Sequence, residues 1–242
     1  MNTRGSFLAN IPPVTRHLLI INFLLWFATI VLKRTAGIDL QEWLGLHFWR
    51  ATDFNAAQFI TYMFMHDTSG IAHVFFNMFS LWMFGRIIEQ ALGAKRYLFY
   101  YVSCGLGAAL VQQLAWEYDL AELVVAVNSG QVILDWSGKA VTASPLLYNN
   151  FITVGASGAV FGILLAFGVL FPNMPMYIIP FPFPIKAKWM VIGYGVVELL
   201  FGVSGMMSGV AHFAHLGGMI FGFFILWYWK HQGNIGRGHG YF

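Results

Sequence analysis

Six separate stretches of this chain, about 17–33, 70–88, 96–116, 152–171, 187–204 and 210–229, are long and apolar enough to cross a bilayer, which takes roughly 20 mostly apolar residues per helix. Hydrocarbon offers no hydrogen-bond partners, so each crossing must satisfy its own backbone, and the chain reads as an all-α membrane protein with six transmembrane helices. Composition agrees: 58% of residues are hydrophobic and 10% charged, against about 25% charged in a soluble domain. The 26 glycines and 18% aromatics supply the small packing residues and interface anchors that helices use in lipid. The first stretch ends in Lys33-Arg34 without a small-residue cleavage site and reads as a retained anchor, not a signal peptide. The net charge of +3 does not point to nucleic acid, because the basic residues are scattered at the ends of apolar runs. The single Cys104 sits inside an apolar run, which excludes a disulfide framework and suits a small packing residue.

Six crossings leave both termini on one side, and Lys and Arg decide which. Arg4, Arg16, Arg86, Lys95, Arg96, Lys186, Lys188, Lys230 and Arg237 fall on the terminal side, against Lys33, Arg34, Arg50 and Lys139 on the other. Both termini are therefore expected in the cytoplasm. The expected organisation is a cytoplasmic segment 1–16, a membrane domain 17–229 and a short mobile tail 230–242. The external loops are 34–69, 117–151 and 205–209; the internal ones are 89–95 and a turn with Pro172, Pro175, Pro180, Pro182 and Pro184. Trp43, Phe48, Trp49 and Phe54 suit a first loop lying in the headgroup region. In the second loop, Leu123–Val127 and Val132–Leu134 flank Asn128-Ser129-Gly130, which predicts a small hairpin.

Polar side chains within spans are expensive in lipid and mark candidate functional sites. Gly155-Ala156-Ser157-Gly158 opens the fourth helix, leaves the serine hydroxyl unobstructed and aims free N–H groups at any developing oxyanion. Alone, such a run is a weak signal and is usually a helix-packing face. In the sixth span Ala211, His215, Gly218 and Gly222 share one helical face. His212 and His215 have i,i+3 ligand spacing, but no carboxylate or cysteine on the same span completes a metal set, so no metal is expected. The second span carries His73 and Asn77 at i,i+4, continued by Ser80, a stripe that taken alone favours interhelical hydrogen bonding. These three spans all run inward from outside, so His73, Ser157 and His215 converge at a depth of roughly 5–10 Å. A nucleophile, a base and spare donors at one depth are the minimum for acyl transfer.

With these motifs in order, the chain resembles the rhomboid intramembrane proteases along nearly its whole length. Trp49-Arg50 is similar to the family's Trp-Arg pair in the first external loop, and His66 with His73-Val-Phe-Phe-Asn77 to its histidine-rich second span. Glu89 resembles the acidic residue at that span's inner end. Gly155-Ala-Ser157-Gly158 resembles the nucleophile motif, and Ala214-His215-Leu-Gly-Gly218-Met-Ile-Phe-Gly222 the base-bearing helix with its Gly-x-x-x-Gly.

The resemblance implies a six-helix rhomboid-like bundle and an intramembrane serine endopeptidase that works through a Ser-His dyad and an acyl-enzyme. Ser157 would be the nucleophile and His215 the general base, without an Asp. His73 and Asn77, with the Ser157 N–H, would form the oxyanion hole. Phe161 falls where the family often has an aromatic packing on the base, and His212 where some members carry Asn. No cofactor is implied. The expected partners are the bilayer and membrane proteins whose spans unwind near their external ends. The short termini suggest a bacterial plasma membrane. Two rivals are an inactive rhomboid-like scaffold, opposed by the intact Ser157 and His215, and a transporter or channel, opposed by the lack of an internal repeat.

Overall fold

The computed structural model describes residues 10–134, 137–177, 183–204, 211–233 and 235. The expected loop 205–209, Pro180 and Pro182 of the internal turn, and most of both terminal segments lie outside them. Helix dominates the fold. α1 spans Pro13–Ala36. A second helical column, α2, runs end to end through Ala72–Ser80, a π-helical turn Leu81–Gly85 and Arg86–Leu92. α3 (Ala94–Asp119), α4 (Ser157–Leu170), α5 (Ala187–Ser204) and α6 (His212–His231) complete the frame.

Among the described residues, α1, α3 and α5 are long and apolar enough to cross a membrane. The others fall short for local reasons. α4 has 14 residues, about 21 Å of helix, while α2 and α6 carry the polar residues His73, Asn77, His212 and His215. The fourth apolar stretch was expected to enter the membrane from about 152, but Ile152–Thr153 pair as an antiparallel strand with Leu46–His47. Gly155 then turns the chain with φ +131°, so the helix starts at Ser157. This two-residue ladder ties the first long loop to the approach to Ser157.

Large apolar side chains cover the outside. Phe23, Leu24 and Phe27 on α1, Phe76 on α2, Leu200 and Val203 on α5 and Phe224 on α6 are all exposed. So contiguous an apolar surface suits acyl chains and not water. The N-terminal end of α1 is held by a buried carboxylate: Val14 N–H donates to Glu89 Oε1 at 2.9 Å, and Thr15 N–H and Oγ1–H both donate to Oε2 at 2.7 Å. These bonds satisfy donors that a helix N-terminus otherwise leaves free.

α6 packs against α3, α4 and α5. Tyr97, Tyr100 and Tyr101 of α3 are fully buried, and Tyr100 Oη–H donates to the Gly162 carbonyl at 2.7 Å. Cys104 is a free, buried thiol beside Gly162, the packing role expected of it.

The loops depart from expectation in two places. Phe48 does not face headgroups; it is fully buried against Trp116 and Tyr148. Trp43 is the exposed aromatic of that loop, at 64%. Leu123–Val127 is not a strand but part of a helix, Ala121–Asn128. Leu120, Leu123, Val124 and Val127 recur at helical spacing and pack around Phe48 and Tyr148, and burial of that stripe overrides the β propensity of the valines. The hairpin forms one strand later, with Val132–Leu134 pairing antiparallel to Ala140–Thr142.

Candidate active site

Ser157 is the first residue of α4, so its N–H and those of Gly158 and Ala159 have no partners within the helix, the first such bond being from Val160 N–H to the Ala156 carbonyl. His215 lies in the first turn of α6. Their side chains meet: His215 Nε2 and Ser157 Oγ are 2.8 Å apart. The Phe161 ring stacks on the imidazole at 4.2 Å with the planes 6° from parallel, fixing the ring's face. For Nε2 to accept the serine proton, a neutral His215 must carry its own on Nδ1.

The helices approach closely enough for this because their contact positions lack side chains. A methyl on Gly218 would stand 1.9 Å from the Gly158 carbonyl oxygen, and one on Gly222 would stand 2.4 Å from Tyr100 Oη. Gly155 serves differently. Its φ of +131° is open to glycine alone, and a methyl there would lie 2.9 Å from His73 Nε2.

His73 faces this position. The Asp67 backbone N–H donates to His73 Nδ1 at 3.1 Å, which makes Nδ1 the acceptor and assigns the ring proton to Nε2. His73 thus presents an N–H toward Gly155 and Ser157. Asn77, buried one turn further, donates one amide hydrogen to the His73 carbonyl at 2.9 Å and keeps a second. A cavity of about 520 Å³ is lined by His73, Asn77, Ser157 and His215 together with Gln41, Asp67 and Thr153. The Ser69 hydroxyl bonded to Asp67 holds that carboxyl below the usual range, so a negative charge stands at the cavity wall.

Trp49 and Arg50 are not in this cavity. The Trp49 indole N–H donates to Glu117 Oε2 at 2.7 Å and Arg50 Nε–H reaches the same oxygen at 3.0 Å. The Trp49 backbone N–H donates to Gln113 Oε1 at 2.8 Å, and Gln113 Nε2 donates to the His47 carbonyl at 2.6 Å. These residues fasten the first loop to the C-terminal end of α3. His66 lies behind His73, ring centroids 5.2 Å apart; burial, and then the neighbouring His73, push its pKa down to about 3.

One site residue escaped the sequence reading. Glu198 of α5 is 9% exposed, and its Oε2 lies 2.7 Å from His212 Nδ1 and 3.0 Å from His215 Nδ1. The helix bearing the histidines has no carboxylate of its own; the carboxylate comes from the neighbouring one. Its signal was available, since Glu198 is the sole acidic residue of a lipid-facing span.

A Rhomboid domain family model matches residues 48–232. The chain is 28% identical over 156 residues to Rhomboid protein 1, mitochondrial, of Saccharomyces cerevisiae, covering 64% of this chain and 37% of that protein. It is 29% identical over 163 residues to Rhomboid protease AarA of Providencia stuartii, covering 66% and 51%. Against Rhomboid protease GluP of Bacillus subtilis it is 24% identical over 159 residues, covering 64% and 23%. The chain spans about half or less of the length of these relatives.

Proposed function

The chain belongs to the rhomboid family, whose members are intramembrane serine proteases, and on that premise we propose that it cleaves the transmembrane segments of other membrane proteins near their external ends. The observation that carries this reading is the 2.8 Å contact between Ser157 Oγ and His215 Nε2 at the wall of a 520 Å³ cavity.

Serine is a weak nucleophile until a base takes its proton. His215 Nε2 accepts it as Oγ attacks the scissile carbonyl, and the charge that develops on the carbonyl oxygen is met by His73 Nε2–H, the free Asn77 amide hydrogen and the Ser157 N–H. The protonated His215 then gives its proton to the leaving amine, which leaves an acyl-enzyme. Water entering the cavity repeats the sequence with His215 again as base, and the ester is hydrolysed.

The substrate must be extended where it is cut, because a helical peptide bond is shielded by its own backbone. A span that unwinds readily near its external end meets that need. α5 is the least buried of the three long apolar helices, and substrate passes beside it to reach Ser157. The cavity opens outward in a six-span topology with both termini cytoplasmic, the orientation that the Lys and Arg distribution favours.

Reconstitution of the purified protein in liposomes with a single-span reporter tests this. The wild-type protein is expected to release the cleaved reporter, and Ser157→Ala and His215→Ala to release essentially none. Cleavage that persists in either variant refutes the dyad. A serine-directed fluorophosphonate should label the wild type and spare Ser157→Ala.

A further inference from the structure

A carboxylate in a lipid-facing helix is costly unless something holds it, and Glu198 is held by two histidines. His212 Nδ1 is 2.7 Å from its Oε2, and His215 Nδ1 is 3.0 Å from the same oxygen. His215 is therefore flanked on both ring nitrogens, by Ser157 on Nε2 and by Glu198 on Nδ1. The Glu198 contact is a close ion-pair approach, and no aligned hydrogen bond reaches His215 Nδ1 among the described residues. The buried Nδ1 proton that the base must carry thus has the carboxylate as its nearest acceptor.

We propose that Glu198 is a positioning residue for His215, so that the site operates as a Ser157–His215–Glu198 triad whose acid is supplied from α5. This rests on the protease reading above. When the Oγ–H bond of Ser157 breaks and the Nε2–H bond of His215 forms, the imidazole gains a positive charge in a buried setting, and the ionised carboxylate beside Nδ1 balances it without taking the proton. The same carboxylate holds the neutral imidazole in the Nδ1–H tautomer that leaves Nε2 free to accept. His212 fixes the carboxylate in turn, and the Phe161 stack keeps the imidazole plane aligned between its two partners.

Glu198, His212 and His215 also form a set of the kind that holds a metal ion. The spacing argues for hydrogen bonding instead. Ligands 2.0–2.2 Å from a tetrahedral zinc stand roughly 3.3–3.5 Å from each other, whereas the glutamate oxygen lies 2.7 and 3.0 Å from the two nitrogens.

The test compares the wild type with Glu198→Gln, Glu198→Asp and Ser157→Ala, all full length, in liposomes with the single-span reporter. Replacing the triad acid by its amide typically costs about 10⁴ in kcat. A loss of at least about 10²-fold is expected for Glu198→Gln, because the amide removes the charge that balances the imidazolium and can donate to Nδ1, which favours the tautomer that leaves Nε2 protonated. KM should stay within about twofold, since uniform binding is untouched. Glu198→Asp should recover at least about tenfold of that loss. In ¹⁵N-histidine spectra the wild type should show a far-downfield Nδ1–H proton that His215→Ala removes and Glu198→Gln moves upfield. Wild-type cleavage with Glu198→Gln kinetics unchanged within about threefold overturns the role of Glu198 alone. So does a loss that follows the melting temperature equally in both variants while the imidazole proton stays in place. Absence of cleavage by the wild type refutes the protease reading and this role with it.

Discussion

Gly218→Ala offers the sharpest test of how helix spacing creates the site. A methyl at this position would lie 1.9 Å from the Gly158 carbonyl oxygen, while real contacts of this kind do not fall below 3.0 Å. Backbone cannot swing aside as a side chain does, so α6 must withdraw from α4 by about 1.1 Å. Gly158 follows Ser157 directly, and Gly218 lies one turn after His215 on the same helix. The retreat therefore acts on the pair itself, stretching the 2.8 Å contact to about 3.9 Å and beyond hydrogen-bond reach. Misplacement by about 1 Å at a reacting centre costs on the order of 10²-fold, and overpacking adds about 1–3 kcal/mol of destabilisation. Reporter cleavage in liposomes should fall at least about 100-fold in kcat/KM, measured well below the variant's melting temperature. Gly193→Ala is the control: a methyl there meets nothing within 4 Å, and activity should stay within about twofold. A folded Gly218→Ala protein with more than about a tenth of wild-type activity would falsify the argument that this glycine sets the Ser157–His215 distance.

Asn77→Ala should lower the cleavage rate by about 10²–10³ while leaving fluorophosphonate labelling of Ser157 detectable, because it removes one oxyanion donor and not the nucleophile. Glu89→Ala removes the acceptor of Val14 N–H, Thr15 N–H and Thr15 Oγ1–H. Thermal unfolding should show a loss of about 3 kcal/mol, and an unchanged melting temperature would rule out the cap. His66 titrates near 3 in the folded protein and near 6.5 when unfolded. The unfolded chain therefore binds the proton first, so stability is complete above about pH 6.5 and declines as pH falls toward 3, by about 2 kcal/mol at pH 5. Melting curves at pH 7 and pH 5 should show this difference in the wild type and a reduced one in His66→Gln.

Much of this protein is readable along one dimension. Apolar runs state where helices lie, and α5 begins where hydropathy puts it. Ser157, His215, His73 and Asn77 were each visible as polar groups that lipid would not tolerate without a use, and the expected topology set His73, Ser157 and His215 at one depth. The misreadings share a cause. The valines of Ala121–Asn128 and the ring of Phe48 were judged by local preference, but their state is decided by what they pack against. Glu198 was overlooked because its partners are 14 and 17 positions away on another helix.

The sequence by itself therefore determined the membrane setting, the order of the helices and the chemical kinds of group at the site, since hydropathy and helical period are properties of neighbouring residues. Only the tertiary structure decided the distances. The 2.8 Å from Ser157 to His215 follows from two glycine backbones in contact, the donor face of His73 from the Asp67 amide behind it, and the carboxylate beside His215 from the position of α5. Contacts of this kind depend on how closely separate helices approach, and that is set by the fit of whole surfaces.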